Sequence, residues 1–186
     1  MSCPCYASTM PKPRAATIER LLTHTVADVV DRAHLRSRLE RGDRLRVKLG
    51  IDPTSPDIHL GFAVAVRKLR EFQDAGHRAI LILGDATAAI GDPSGRNKTR
   101  PVLTPADIRK NVRTYLAQAR LLLRLSSSEV HRNSEWFSVL RFSDLLELAS
   151  HVTVARLLER EDFRRRISGN QEVRLHEFLY PLAQAY

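Results

Sequence analysis

Two short segments carry the residue types that do chemistry. The first runs from Asp52-Pro53-Thr54-Ser55-Pro56-Asp57 into His59-Leu60-Gly61-Phe62, so turn formers lead to a hydroxyl, an imidazole and a glycine where a helical pattern begins. The free N–H groups and positive dipole end of a helix starting there attract an anion such as phosphate, and Gly61 lets a flat ligand approach the backbone. Thr54 and His59 can donate hydrogen bonds to the same oxygens. The second segment, Gly84-Asp85 followed by Ile90-Gly91-Asp92-Pro93-Ser94-Gly95-Arg96, brings two carboxylates and an arginine into a glycine-rich stretch. A carboxylate there can hold a substrate ammonium. Neither segment matches the Gly-x-Gly-x-x-Gly fingerprint or the phosphate loop ending in Gly-Lys-Ser/Thr, which argues against a dinucleotide dehydrogenase or a P-loop enzyme. Taken singly, each also reads as an ordinary turn or helix cap.

The elements flanking these segments decide between the two readings. Leu45, Val47, Leu49 and Ile51 alternate with Arg44, Arg46, Lys48 and Gly50, the pattern of a half-buried strand ending at Asp52. A helix is expected from about His59 to Ala75, closed by Gly76, followed by the apolar strand Ala79-Ile80-Leu81-Ile82-Leu83. Strand, helix, strand in this span is a βαβ unit, which builds a parallel sheet, and ligands bind where such strands end. Gly84 to Thr104 reads as a second long loop. Thr104 and Pro105 then open a helix to about Leu123, and Val130 to Arg132 forms a further strand. From Glu135 onward helical patterns dominate, with starts at Ser143-Asp144, Thr153 and Leu175. Before the sheet, Thr17 to Gly42 reads as helical, with residues 17–43 forming N-terminal helices of which Gly42 ends the last, and residues 1–16 read as a flexible tail.

The remaining composition narrows the class. The 186 residues are 43% hydrophobic and 6% aromatic, with 30 basic against 21 acidic side chains and a net charge of +9. No apolar run exceeds the five residues of the second strand, so a membrane-spanning or disordered chain is excluded on composition. Only Lys12, Lys48, Lys68, Lys98 and Lys110 are lysines, so the charge is mostly guanidinium, suited to phosphates and carboxylates. Cys3 and Cys5 are too close for a useful disulfide and lack companions for a metal, and are expected to be free thiols in a reducing, cytoplasmic compartment.

Longer stretches carry a resemblance. LRVKLGIDPTSPDIHLGFAVAVRKLREFQDAGH, ILILGDATAAIGDPSGRNKTRPVLT, NSEW, TVARLLEREDF and LHEFLYPLAQAY occur in this order, and residues 44–186 resemble the catalytic domain of bacterial tyrosyl-tRNA synthetases of the Lys-Leu-Gly-x-Asp-Pro-Thr subtype. The resemblance implies an α/β fold, a class I Rossmann-like domain with a parallel sheet followed by a helical segment. It implies activation of tyrosine with ATP and Mg2+ and transfer to tRNA(Tyr), with no structural metal. Thr54 and His59 are the implied catalytic residues, acting through charge stabilisation without a protein nucleophile. Pro53, Gly61 and Phe62 fall in the implied ATP site. Asp92, Tyr180 and Gln184 fall in the tyrosine site, with Asp92 on the ammonium, and Asn133 and Thr87 align with supporting positions. Lys48 stands where the other bacterial subtype has tyrosine, so that residue's substrate contact is not carried over.

Two departures accompany the resemblance. Phe62 replaces the second histidine of the HIGH-type tetrapeptide, and a phenyl ring supplies no hydrogen bond, so ATP use is expected to be impaired. The family's next pocket aspartate, its KMSKS-type loop and its tRNA-binding domain fall beyond Tyr186. The chain is therefore expected to be an N-terminal catalytic-domain fragment, inactive alone and needing a homodimeric or complementary partner to cover its sheet. In the family the region matching 135–165 lies at a subunit interface. The alternatives are a non-catalytic binding or dimerisation module, and a basic nucleic-acid-binding protein. The last rests on charge alone. The Arg164-Arg165-Arg166 run reads as a solvated helix face.

Overall fold

The computed structural model describes residues 13–90 and 103–186. Cys3, Cys5 and Asp92 lie outside the described residues. Three strands, β1 (Arg46–Ile51), β2 (Arg78–Leu83) and β3 (Glu129–Arg132), form a parallel sheet in the order β1-β2-β3. The expected alternation holds in β1, where Val47 and Leu49 are half-buried and Ile51 buried, while Arg46, Lys48 and Gly50 are exposed. The helix α3 (Leu60–Asp74) connects β1 to β2, and α4 (Asp85–Ile90) and α5 (Pro105–Leu122) lie between β2 and β3. Gly76, at φ 92°, makes the turn from α3 into β2, a backbone state only glycine adopts cheaply.

The described residues divide into two compact units. The first contains most of the sheet, α3, the second half of α5 and two helices that precede the sheet, α1 (Ala15–Thr23) and α2 (Arg32–Glu40). Its core joins Ile18, Leu21 and Leu22 of α1 to Leu39 of α2, Leu45 and Phe72, with Leu35, Val47 and Ala75 packed around them. Apolar burial of this kind supplies most of the stability of short helices.

In the span 17–43, read as N-terminal helices, α1 ends at Thr23 and α2 begins at Arg32. The reason is chemical. Lys68 donates from its ammonium to the carbonyls of Arg20 and His24 at 3.4 and 2.9 Å, and Arg32 donates to Leu22 O at 3.0 Å. These cations gather at the carbonyl end of α1, where the helix dipole favours them, and Thr25 at φ 53° turns the chain away. Asp31 then caps α2 by accepting from the His34 N–H at 3.0 Å. Ala15 starts α1 inside the expected tail.

On the solvent side of the sheet, Glu129 of β3 accepts from Arg46 of β1 at 2.6 Å and Arg78 of β2 at 3.0 Å. These two guanidinium groups, Arg78 first, pull its carboxyl down to about 2. His77 is the opposite case. It is 4% exposed, its Nδ1 accepts from the Leu45 N–H at 3.3 Å, and its Nε2 is buried without a partner. Burial, with Arg44 adding repulsion, lowers its pKa from the ordinary 6.5. The unfolded chain therefore binds the His77 proton more readily than the folded chain. Stability from this group is present above about pH 6.5 and falls as the pH drops below it. Urea midpoints between pH 8 and 5 are expected to decline more steeply for the native chain than for His77→Gln. Equal slopes would refute the assignment.

The second unit contains α4, the first half of α5, and α6 (Ser134–Phe137), α7 (Phe142–Ser150), α8 (Val154–Leu158), α9 (Glu161–Ser168) and α10 (Leu175–Ala185). The long loop expected from Gly84 is corrected as well, since α4 occupies its first part. Thr104 and Asp107 cap α5 reciprocally, and Thr153 caps α8 by accepting from the Arg156 N–H at 3.2 Å. Phe163 of α9, fully buried, packs on Phe178 of α10 with ring centroids 4.8 Å apart. Arg166 is not on a solvated face: its guanidinium pairs with the buried Glu177 of α10.

Candidate functional site

In the second unit the residues that follow the three strands converge. Asp52 follows β1, Gly84 and Thr87 follow β2, and Asn133 follows β3. The Asn133 N–H donates to Leu83 O at 3.0 Å, and its side-chain oxygen accepts from the Ala86 N–H at 2.9 Å. That leaves its amide nitrogen to donate to Thr87 Oγ1 at 2.8 Å, and the Thr87 hydroxyl to donate to Asp52 Oδ1 at 2.8 Å. The donor and acceptor roles of Asn133 and Thr87 follow from the Ala86 N–H bond, which fixes which side of the Asn133 amide is the oxygen. The Tyr180 hydroxyl, carried in by α10, donates to the other Asp52 oxygen. Thr87, Tyr180 and Asn133 are 1%, 4% and 6% exposed, so the series lies in a low-dielectric setting where its geometry is held firmly.

Gly84 makes this arrangement possible. A Cβ built there would lie 1.8 Å from Asp52 Oδ1 and 2.4 Å from Thr87 Oγ1. The buried Pro53 is tied down from α5, where the Asn111 amide donates to its carbonyl at 2.9 Å. The Thr54 N–H donates to Asp52 O at 2.8 Å, closing the turn. Asp85, one of the two carboxylates read as a holder for ammonium, is otherwise occupied. It accepts from the Ala86 and Ser134 N–H groups at 3.0 Å each and from the Ser134 hydroxyl at 2.8 Å.

The first unit holds a second group of the residues named from sequence. His59 is the N-cap of α3, and its Nδ1 accepts from the Gly61 N–H at 3.1 Å. Phe62 lies against it with ring centroids 4.4 Å apart. Of the residues named from sequence, Thr87, Asn133 and Tyr180 are brought together through Asp52, Pro53 and Thr54 belong to the same loop as Asp52, and His59, Gly61 and Phe62 form their own cluster. Gln184 lies on α10, with its side chain outside the described residues. Asp52 was missed as a site residue, although a carboxylate placed directly after an alternating strand is a signal that could have found it. Among the described residues no group of three or more His, Cys, Asp or Glu side chains could hold a metal ion.

The chain is similar to proteins of known family. Over 169 residues the chain is 51% identical to the tyrosine–tRNA ligase of Deinococcus radiodurans, covering 90% of this chain and 41% of that protein. Over 186 residues it is 50% identical to the tyrosine–tRNA ligase of a Synechococcus species, covering 97% and 45%. The chain thus spans less than half the length of these relatives. Among solved structures, a tyrosyl-tRNA synthetase of Archaeoglobus fulgidus complexed with L-tyrosine superposes with a TM-score of 0.68 at 26% identity, covering 91% of this chain and 50% of that one. A truncated mitochondrial tyrosyl-tRNA synthetase of Coccidioides posadasii gives 0.73 at 23% identity, with 91% and 48% covered, a likeness of fold. The family model of class I tRNA synthetases for W and Y matches residues 40–186, and the chain belongs to that family.

Proposed function

We propose that this chain carries the tyrosine-activating site of a tyrosine–tRNA ligase. The observation that carries the reading is the Thr87–Asp52–Tyr180 network within a chain half identical to such ligases. With its proton engaged by Asp52, the Tyr180 oxygen offers acceptor character, which is the polarity a substrate ammonium requires. Asp92 and Gln184 complete the ammonium site in this reading, and Thr87 and Asn133 hold Asp52 in place. On the other reactant, Thr54, the first N–H groups of α3 and His59 Nε2 hold the phosphates of ATP, which enters as substrate with its Mg2+. Pro53, Gly61 and Phe62 line the nucleotide side. A tyrosine carboxylate oxygen attacks the α-phosphorus, the bond to pyrophosphate breaks, and the protein supplies position and charge stabilisation. Transfer to tRNA(Tyr) follows in the whole ligase.

Homodimerisation through the 135–165 region is part of the proposal. Val139, Phe142 and Leu146 expose 72%, 73% and 56% of their surface there, apolar area that association would remove from water. No helix among the described residues is long and apolar enough to cross a membrane, and we place the reaction in the cytoplasm.

Titration calorimetry checks the reading directly. L-Tyrosine is expected to bind about tenfold or more tightly than L-phenylalanine, since a site built for a hydroxyl leaves buried polar groups unpaired with its analogue. Asp92→Ala is expected to abolish binding. Equal affinities for the two amino acids would overturn the proposal.

A further inference from the structure

The tetrapeptide His59-Leu60-Gly61-Phe62 holds a device that its hydrogen-bonding groups alone do not explain. Histidine is a weak N-cap compared with serine or aspartate, because its bulky ring must fold back over the first turn to reach a free N–H. Here it does so: Nδ1 meets the Gly61 N–H at 3.1 Å. Three features hold the ring there. A Cβ on Gly61 would stand 3.0 Å from His59 Cε1 and 3.1 Å from Nδ1, a tight approach that would push the ring by a few tenths of an ångström, so glycine gives the ring its room. Phe62, three residues after the cap, lies 4.4 Å from the imidazole with the rings tilted by 31°. Phe62 in turn faces Tyr115, 1% exposed, at 6.5 Å. A buried ring therefore backs a half-buried one, which backs the exposed imidazole.

The consequence concerns where the proton sits. Nδ1 accepts from a backbone N–H and must be unprotonated, so the neutral ring carries its hydrogen on Nε2, which has no hydrogen-bond partner among the described residues. We propose that Phe62 is a positioning residue for His59: its ring fixes the imidazole in one orientation and one tautomer, with Nε2–H as the outward donor to a phosphate-class anion. The use of that donor rests on the function proposed above, whereas the fixing of the tautomer stands on the Gly61 N–H bond to Nδ1 and on the ring contact that holds the imidazole in place to accept it. An aromatic residue at this place is thus a support for the donor beside it.

The test is a long-range proton–nitrogen correlation spectrum of the chain labelled with 15N-histidine, recorded at pH 8, with His59 assigned by the signals lost in His59→Gln. The native spectrum is expected to contain well-separated nitrogens, a protonated Nε2 and a bare Nδ1. In Phe62→Leu the two shifts are expected to approach each other as the second tautomer becomes populated, while Phe62→Tyr restores the native pattern. Unchanged signals of the other histidines report that each variant is folded. Titration with inorganic pyrophosphate adds the second arm: the native Nε2 signal is expected to move, with half-saturation about three- to tenfold higher in Phe62→Leu, the range of one lost aromatic pair. A native-like tautomer in Phe62→Leu, or mixed tautomers in the native chain, would overturn the proposal. An Nε2 signal indifferent to pyrophosphate, with the tautomer still following residue 62, would remove the phosphate reading and leave the positioning role standing.

Discussion

Replacing Gly84 by alanine is expected to abolish tyrosine binding and to lower stability by about 2–4 kcal/mol, the sum of overpacking and of hydrogen bonds broken at a half-buried carboxylate. The new methyl group would overlap Asp52 Oδ1 at 1.8 Å, and the carboxylate has no easy retreat. It is held by the Thr87 hydroxyl on one oxygen and the Tyr180 hydroxyl on the other. Any movement that relieves the clash pulls on Thr87, and through Thr87 on Asn133, which itself is bonded to the chain leaving β2. Gly50→Ala is the matched control. A Cβ at Gly50 meets nothing within 4 Å, and its effect is expected to stay within about 0.5 kcal/mol. Urea unfolding and calorimetric titration with L-tyrosine on both variants decide the matter, and a Gly84→Ala chain that binds tyrosine normally would break the link between this close approach and the site.

Arg166→Ala is expected to cost about 2–3 kcal/mol and to weaken tyrosine binding without touching the ligand, because it leaves a buried carboxylate without its ionic partner. Glu177 is 9% exposed and accepts from the Arg166 guanidinium and from the Arg174 N–H at 2.9 Å. Burial pushes its carboxyl up, but Arg166 and the Arg174 N–H outweigh it and hold it below the ordinary 4.5. The pair therefore supports the fold above about pH 4.5, and that support is lost as the pH falls further. Glu177 stands at the start of α10, the helix that carries Tyr180, so loosening it disturbs the Asp52 contact. Adding Glu177→Gln to Arg166→Ala is expected to recover part of the loss, since a neutral amide tolerates burial better. A double variant less stable than the single one would show that the carboxylate is not the cause.

These two predictions also mark where the sequence was readable. The sheet and its crossovers were legible because β1 alternates with period two, β2 is a short apolar run, and Thr104, Pro105 and Thr153 are strong local start signals whose effect does not depend on distant contacts. The position of the break between α1 and α2 was not, because Val26, Val29 and Val30 continue a helical spacing with no glycine or proline to mark where one helix stops. The interruption comes from Lys68, more than forty residues away. Similarly, α4 hides in a glycine-rich neighbourhood that suggested a loop. Within the candidate site, Thr87, Asn133 and Tyr180 are named through family resemblance, whereas spacing alone places them on unremarkable elements. Arg166 looked like one member of a charged run because nothing in a linear reading distinguishes the arginine that meets Glu177 from its two neighbours.

The strand order has a further consequence, for assembly of the chain during its synthesis. In the order β1-β2-β3 each strand pairs with the one made just before it, so every ladder closes over a single crossover and little loop entropy is lost at each step. Among the described strands the sheet can grow in the direction of translation. The Asp52–Tyr180 bond spans 128 residues and closes after all of them. Within this span the sheet is thus built before Tyr180 reaches Asp52, which separates the pairing of the strands from the closing of the hydrogen-bond network that joins their ends.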